Sequence, residues 1–466
     1  LSRPERAEAK RSAALHARER GGAGRHGNRE SVVAMRIIHL AAGAGGMYCG
    51  ACAGDMAVAR AVSALGHEMT VLPLYMPLRI EGDKSAVSEQ VFLGGINAWL
   101  QQVWPGFRRL PRFMARALDN PALLNRISGF AVRTKPSDLG PMTVSVLQGR
   151  DGRQRAELDR LVEFLHAQAP PDLISITNSL LSGMAPALRE HFDVPIICGV
   201  QGEDTFLHGM PERYRDQSLA LVRENAAAID LFVAPCKSYA AKMAELLEVE
   251  RERMTVVRPG LDVAAYRRRY PRQRPRPREP FTIGYLSVIT PRKGLRLLVE
   301  AVGRLVAEGR DIRLTVAGKP LNHAYWREVR REARRELGDR FEFLGEVDLV
   351  GKIEFLHRIS AFCQPSVVPE VRGMTALEAM AAGVPVVTPT EGVFPELLDS
   401  CGGGVGFRSG DAKSLAQAIA GLMDAPDAAD AMGESGRAGV ADLHSEEVTG
   451  ARMLEVCLTA GIGNRE

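Results

Sequence analysis

The sequence predicts an α/β protein built as two doubly wound domains. Short β-branched runs alternate with longer amphipathic stretches along the chain, the pattern of parallel strands joined by helices. A break dense in arginine and proline divides that pattern in two. The 466 residues are also too many for one ordinary core and suit two or three domains.

In the first half the expected strands are 35–42, 69–74, 172–177, 195–200, 231–234 and 254–257. In the second half they are 281–286, 312–317, 341–344, 361–365 and 385–388. Between them residues 266–280 crowd Arg and Pro together. Proline at that density continues neither a helix nor a central strand, so a stiff solvated linker is expected there rather than a basic nucleic-acid patch. The expected domains are therefore 35–265 and 281–440, with residues 441–466 holding an amphipathic C-terminal helix over 445–460.

Composition limits the function. Apolar and charged fractions are those of a globular enzyme, and no apolar run approaches the length of a membrane-spanning helix. Seven scattered cysteines without repeated paired spacing suit a reduced, cytoplasmic setting better than a disulfide framework. The net charge of +4 is accounted for by residues 1–34, where eight basic residues face four acidic ones. That segment lacks an apolar core for a signal peptide. It reads as disordered, or as sequence upstream of a start at Met35, with a nucleic-acid-binding tail the sharper alternative. The body of the chain is near neutral, and no nucleic-acid partner is expected.

The most informative stretch runs from Glu370 through Arg372, Gly373, Met374 and Thr375 to Glu378, then into Ala-Met-Ala-Ala-Gly and Val-Pro-Val-Val. A loop carboxylate accepts hydrogen bonds from sugar hydroxyls. A glycine that opens a helix exposes free N–H groups and positive dipole to phosphate. The plain alternative is a loop glutamate followed by a solvated helix glutamate. The small apolar residues after Glu378 argue against it, because they leave little room for a solvated charge.

This pattern resembles the E-x7-E signature of family 4 glycosyltransferases, which have the GT-B fold: two Rossmann-like domains facing across a cleft. The resemblance covers about residues 35–460 and is strongest at Lys293 and over 370–387. Gly43-Ala44-Gly45-Gly46, entering a helix over 55–65, resembles the family's Gly-Gly loop near the donor diphosphate; it fails the dinucleotide fingerprint because Tyr48 stands where a glycine is needed. A tight turn without ligand is the alternative. Lys293-Gly294 matches the end of the family's G-R-L-x-x-x-K-G stretch, but Val288 occupies the arginine position. One cation lost at a leaving pyrophosphate costs on the order of an oxyanion donor, about 3 kcal/mol. Arg292 and Arg372 are the candidates to replace it. Val256–Asp262 and Gly392–Glu396 match stretches of the family read as architectural.

The resemblance implies a hexosyltransferase-type enzyme that moves a sugar from a nucleotide-sugar donor to a hydroxyl acceptor with retention, without metal or cofactor. Glu370 and Lys293 would be its catalytic pair. Glu378 would bind the ribose. Arg372, Gly373, Met374, Thr375, Gly45, Gly46 and Arg292 would complete the donor site. For the acceptor, the family's first domain points to Asn97 in the loop Gly94–Asn97 and to Gln201, Glu203 and Asp204. Gln201 stands where many relatives have histidine; it can donate to a sugar but not shuttle a proton, so a general-base role would fall to Glu203 or Asp204. The acceptor is a carbohydrate, a lipid-linked or a small-molecule hydroxyl. Trp99, Trp104, Phe107 and Phe113, interleaved with Arg108, Arg109 and Arg112, suit either a peripheral membrane contact at the inner face or core packing under a solvated basic face.

Three alternatives stay open. Cys49 and Cys52 form a C-x-x-C of redox or zinc type, although no second close pair completes a zinc site. The same fold also serves sugar-nucleotide epimerases and hydrolases. Val288 and Gln201 would suit an inactive nucleotide-sugar-binding homologue. P-loop, kinase, zinc-protease and serine-hydrolase motifs are absent in recognisable form.

Overall fold

A computed structural model of the protein describes residues 34–42, 50–75, 136–267 and 280–462. Gly45, Gly46, Cys49, Gly94–Asn97, the aromatic and basic stretch from Trp99 to Phe113, the N-terminal segment and linker residues 268–279 lie outside the described residues. The chain divides into two compact units. One runs to Gly260 and takes back the chain from Thr449 onward; the other contains Leu261–Val448.

The first domain holds β1 (Arg36–Ala41), β2 (Glu68–Pro73), β3 (Leu173–Ile176), β4 (Ile196–Gly199), β5 (Leu231–Ala234) and β6 (Met254–Val256). All pairs are parallel, in the order β2-β1-β3-β4-β5-β6. Strand order therefore reverses between β1 and β3. The second domain holds β7 (Phe281–Leu286), β8 (Ile312–Ala317), β9 (Phe341–Gly345), β10 (Ala361–Cys363), β11 (Val386–Pro389) and β12 (Gly404–Phe407), ordered β12-β11-β10-β7-β8-β9 and again parallel. Its reversal lies between β7 and β10. In such sheets ligands bind beyond the carboxyl ends of the strands at the reversal.

Eleven strands coincide with the expected runs within one or two residues. β12 was not expected. Its Gly-Val-Gly-Phe sequence has no β-branched run, and Gly404 serves close approach instead: a Cβ there would lie 2.3 Å from the Val386 carbonyl oxygen.

Both cores follow helical and strand periodicity. In helix Leu295–Ala307, Leu295, Leu298, Val299, Val302 and Leu305 are buried at three- and four-residue spacing, against Ile283, Leu314 and Val316 of the sheet. Each such side chain contributes roughly 1.5–3 kcal/mol by leaving water. The helix opens at Gly294, whose φ of +71° and 1.7 Å clearance from a would-be Cβ to the Pro365 carbonyl oxygen exclude any side chain.

The C-terminal helix Glu446–Ile462 contributes Val456 and Cys457 to the first domain's core, beside Ile37, Ala59, Val62 and Val71. Thr449 Oγ1 donates to the Arg258 carbonyl oxygen at 3.1 Å. Gly450 abuts Ala61 so closely that a Cβ would lie 2.3 Å from the alanine methyl. Gly450→Ala should therefore destabilise the first domain by about 1–3 kcal/mol through overpacking, read as a lower Tm. Adding Ala61→Gly should recover part of the loss; an unchanged Tm in the single variant would contradict this helix packing.

Candidate active site

The second domain's reversal brings two loops together: the one leaving β7, which carries Lys293 on the turn Pro291–Lys293, and the one leaving β10, which carries Glu370. Lys293 Nζ donates to Glu370 Oε1 at 2.5 Å, and Ser366 Oγ donates to the same oxygen at 2.6 Å. The Glu370 backbone is also held. Its carbonyl accepts from Val393 N at 2.8 Å, and a Cβ on Gly392 would come within 2.4 Å of that carbonyl. Gly392, at φ +67°, thus keeps the Glu370 loop where it is.

Eight residues on, Glu378 repeats the arrangement from inside helix Met374–Ala381. It is only 7% exposed. Lys352 Nζ donates to its Oε1 at 2.6 Å and the Tyr266 hydroxyl donates to the same atom at 3.0 Å. The Lys352 ammonium also lies 5.6 Å from the Tyr266 ring centre. Each glutamate is thus fixed through one oxygen by one ammonium and one hydroxyl. Among the described residues, neither Oε2 takes a hydrogen bond.

Helix Met374–Ala381 starts at Gly373, with φ +63° and ψ +30°. A Cβ there would meet Leu397 Cδ1 at 2.8 Å. The Thr375 hydroxyl donates to Gln364 Oε1 at 2.7 Å, tying the first turn to the end of β10. The first N–H groups of any helix lack intrahelical partners and gather positive potential. Arg372, half-buried at this helix start, makes no hydrogen bond or ion pair among the described residues. Arg292 is exposed, and Val288 is 42% exposed where an arginine was expected from the family pattern.

In the first domain, Gln201, Glu203 and Asp204 come together after β4, but not as open ligand groups. Glu203 is buried. Its Oε1 accepts from Ser179 N at 3.1 Å, and its Oε2 accepts from Gln201 N at 2.6 Å and Gly202 N at 2.9 Å, with the Tyr239 oxygen 3.2 Å away. Burial raises its pKa, with those backbone N–H groups opposing the shift. Asp204 accepts from Tyr239 at 2.9 Å and from Lys242 Nζ at 2.5 Å. Burial alone would push its carboxyl up; Lys242 and Tyr239 outweigh it and hold the pKa below the ordinary aspartate value. Both carboxylates therefore brace the loop rather than stand ready as a base. Gln201 donates its Nε2 to the Thr177 carbonyl oxygen at 2.8 Å, so the donor end of its amide is turned inward.

Sequence reasoning missed Lys352, Tyr266, Ser366, Tyr239 and Lys242. The first two stand 26 and 112 residues from Glu378, and no spacing rule links them to it. Among the described residues there is no cluster of metal-ligating side chains, and no helix is long and apolar enough to cross a membrane.

Residues 267–439 match the family model described as "Glycosyl transferases group 1", and residues 53–260 match the "Glycosyl transferase 4-like domain". The chain belongs to the family 4 glycosyltransferases. This glycosyltransferase is 27% identical over 303 residues to the glycogen synthase of Mycobacterium tuberculosis, covering 64% of this chain and 70% of that one. It is 31% identical over 176 residues to a GDP-mannose-dependent phosphatidylinositol monomannoside mannosyltransferase of Corynebacterium glutamicum, covering 36% of this chain and 45% of the relative. Its architecture is GT-B. The structure of Anabaena HepE in complex with UDP-glucose superposes with a TM-score of 0.61 at 16% identity, over 91% of this chain and all of that one. Sucrose-phosphate synthase from Thermosynechococcus elongatus gives 0.64 at 18%, over 92% of this chain and all of that one.

Breaking one side of the buried pair tests the glutamate anchors of the glycosyltransferase. Lys352→Met should lower stability by about 3–5 kcal/mol, since it leaves the Glu378 charge unpaired. Combining it with Glu378→Gln should cost clearly less than the sum of the two single variants, measured by denaturant unfolding. Strict additivity would contradict the pairing.

Proposed function

We propose that the protein transfers a glycosyl group from a nucleotide-sugar donor to a hydroxyl acceptor, with retention of anomeric configuration and without a metal ion. The observation that carries this reading is the repeated anchoring of Glu370 and Glu378, each held through Oε1 with Oε2 left for a ligand. A carboxylate oxygen accepts hydroxyl protons, so Glu370 would take the donor sugar's hydroxyls and Glu378 those of the ribose. Lys293 spends one of its three N–H donors on Glu370 and keeps the others for the diphosphate, beside the N–H groups of Gly373, Met374 and Thr375. Arg372 supplies the second cation that Val288 does not. These charges supply the neutralisation for which a divalent ion would otherwise be needed.

In the reaction the bond from the anomeric carbon to the phosphate oxygen breaks, and a bond from that carbon to the acceptor oxygen forms on the same face. The acceptor proton passes to the departing phosphate oxygen. Glu203 and Asp204 are committed to internal partners, which favours this route over a side-chain base in the first domain. The glycogen synthase and mannosyltransferase among the relatives, and the UDP-glucose complex among the structures of like fold, support a nucleotide-sugar donor and a carbohydrate or lipid hydroxyl as acceptor.

A thermal-shift panel of nucleotide sugars identifies the donor, because a ligand stabilises the state it binds. Turnover of that donor, followed as release of nucleoside diphosphate, should survive dialysis against EDTA and give a product of retained configuration. Lys293→Ala should lower kcat by about 100- to 1000-fold, in line with loss of one preorganised charge donor. An inverted product, loss of turnover in EDTA, or an unaffected Lys293→Ala variant would contradict the proposal.

A further inference from the structure

Helix His323–Leu337, which joins β8 to β9, sorts its charges by side. Tyr325, Trp326, Val329, Ala333 and Leu337 are buried in the second domain's core. The glutamates of the helix are all engaged. Arg296 of the neighbouring helix donates to Glu328 Oε2 and to Glu332 Oε2, each at 2.9 Å, and Arg335 donates to Glu336 Oε1 at 3.0 Å. The arginines are not matched in the same way. Arg327, Arg331 and Arg334 stand at i, i+4 and i+7 on one face and are all exposed. None of the three makes a hydrogen bond or ion pair among the described residues. Arg330 borders the row, with its guanidinium 5.9 Å from the Trp326 ring centre. The row covers about 10 Å of helix, at roughly 1.5 Å per residue. Guanidinium groups stay protonated in proteins, so this is a standing positive surface.

The chemistry of the face narrows its partner. Tyr325 and Trp326 are buried, so neither ring is left for a nucleic-acid base to stack on. No large apolar side chain of the helix is exposed, so the face lacks the apolar centre of a stable protein interface. The apolar side of the helix is spent on the core, and what remains is a convex row of cations suited to a flat anionic surface. Exposed aliphatic side chains stand at one end of it. Leu321 directly precedes the helix and is 49% exposed, while Leu349 and the 63% exposed Val350 follow β9. The two loops are laced together: Gly318 N donates to the Gly345 carbonyl oxygen at 2.7 Å, and Lys319 Nζ pairs with Glu346 Oε2 at 3.3 Å. Aliphatic tips enter the boundary between headgroups and acyl chains, while arginines stay with the phosphates.

We propose that this arginine face docks the protein on a bilayer rich in anionic phospholipid, with Leu321, Leu349 and Val350 as shallow anchors. The docking goes beyond the glycosyl-transfer reading and does not depend on it. One consequence rests on that reading. The anchors share the carboxyl edge of the second sheet with Lys293 and Glu370, so docking sets that edge near the headgroups, where a lipid-linked acceptor presents its hydroxyl.

Vesicle co-sedimentation of the full chain tests the proposal, with phosphatidylcholine alone or mixed with about a third of phosphatidylglycerol. The protein should bind the anionic vesicles and not the neutral ones, and added salt should release it. Replacing Arg327, Arg331 and Arg334 together by Gln should weaken binding about 100-fold, at roughly fivefold per arginine near such a surface. The variant should melt with the wild type, since the three side chains make no bond to lose. The corresponding triple Lys variant keeps the charge and should keep most of the binding. Equal binding to both vesicle types, unchanged binding in the Gln variant, lost binding in the Lys variant, or a preference for single-stranded RNA over the anionic vesicles would overturn the proposal. Nucleotide-sugar binding is measured separately by calorimetry on the same samples. Its absence alongside the expected vesicle binding would sink the glycosyl-transfer reading and leave the docking standing.

Discussion

The pairing of Lys293 with Glu370 and of Lys352 with Glu378 orients each carboxylate through one oxygen and leaves its second oxygen without a hydrogen bond among the described residues. Each ammonium keeps its glutamate in company away from bulk water, where an isolated charge is costly. Each neighbouring hydroxyl, from Ser366 or Tyr266, fixes the plane of the carboxylate. Because both donors converge on one oxygen, the other is the one that the proposed donor would engage. The surrounding fold serves this arrangement: parallel strands deliver the loops after β7 and β10 to one edge, and Gly294, Gly373 and Gly392 allow approaches that no side chain permits.

Most of the architecture was legible because its signals are local. Alternating β-branched runs mark eleven strands, and Gly373 ahead of a run of small residues marks the start of helix Met374–Ala381. β12 escaped because a Gly-Val-Gly-Phe edge strand is chosen for close packing on β11 rather than for strand propensity. Lys352 and Tyr266 escaped for a different reason. A lysine on an amphipathic helix and a tyrosine before a proline-rich stretch look the same in sequence whether they face solvent or a buried glutamate. Only the fold brings them to Glu378.

The first domain shows the limit more sharply. Glu203 and Asp204 were expected as acceptor-binding groups because they follow a strand end, and the structure places them just after β4. Their oxygens, however, are consumed by Ser179, Gln201, Gly202, Tyr239 and Lys242. Residue type and position gave the place but not the partners. In the proposed reaction this shifts the weight of the chemistry onto the donor side, with the leaving phosphate taking the acceptor proton.

The central claim is that two separately anchored carboxylates divide recognition of one donor between them. Calorimetric titration of the stabilising nucleotide sugar, and of its nucleoside diphosphate alone, into Glu370→Gln and Glu378→Gln tests it directly. The account predicts that Glu370→Gln erases the affinity difference between the two ligands while sparing the diphosphate, and that Glu378→Gln weakens both alike. Equal effects of the two substitutions on both ligands, or none, would contradict it.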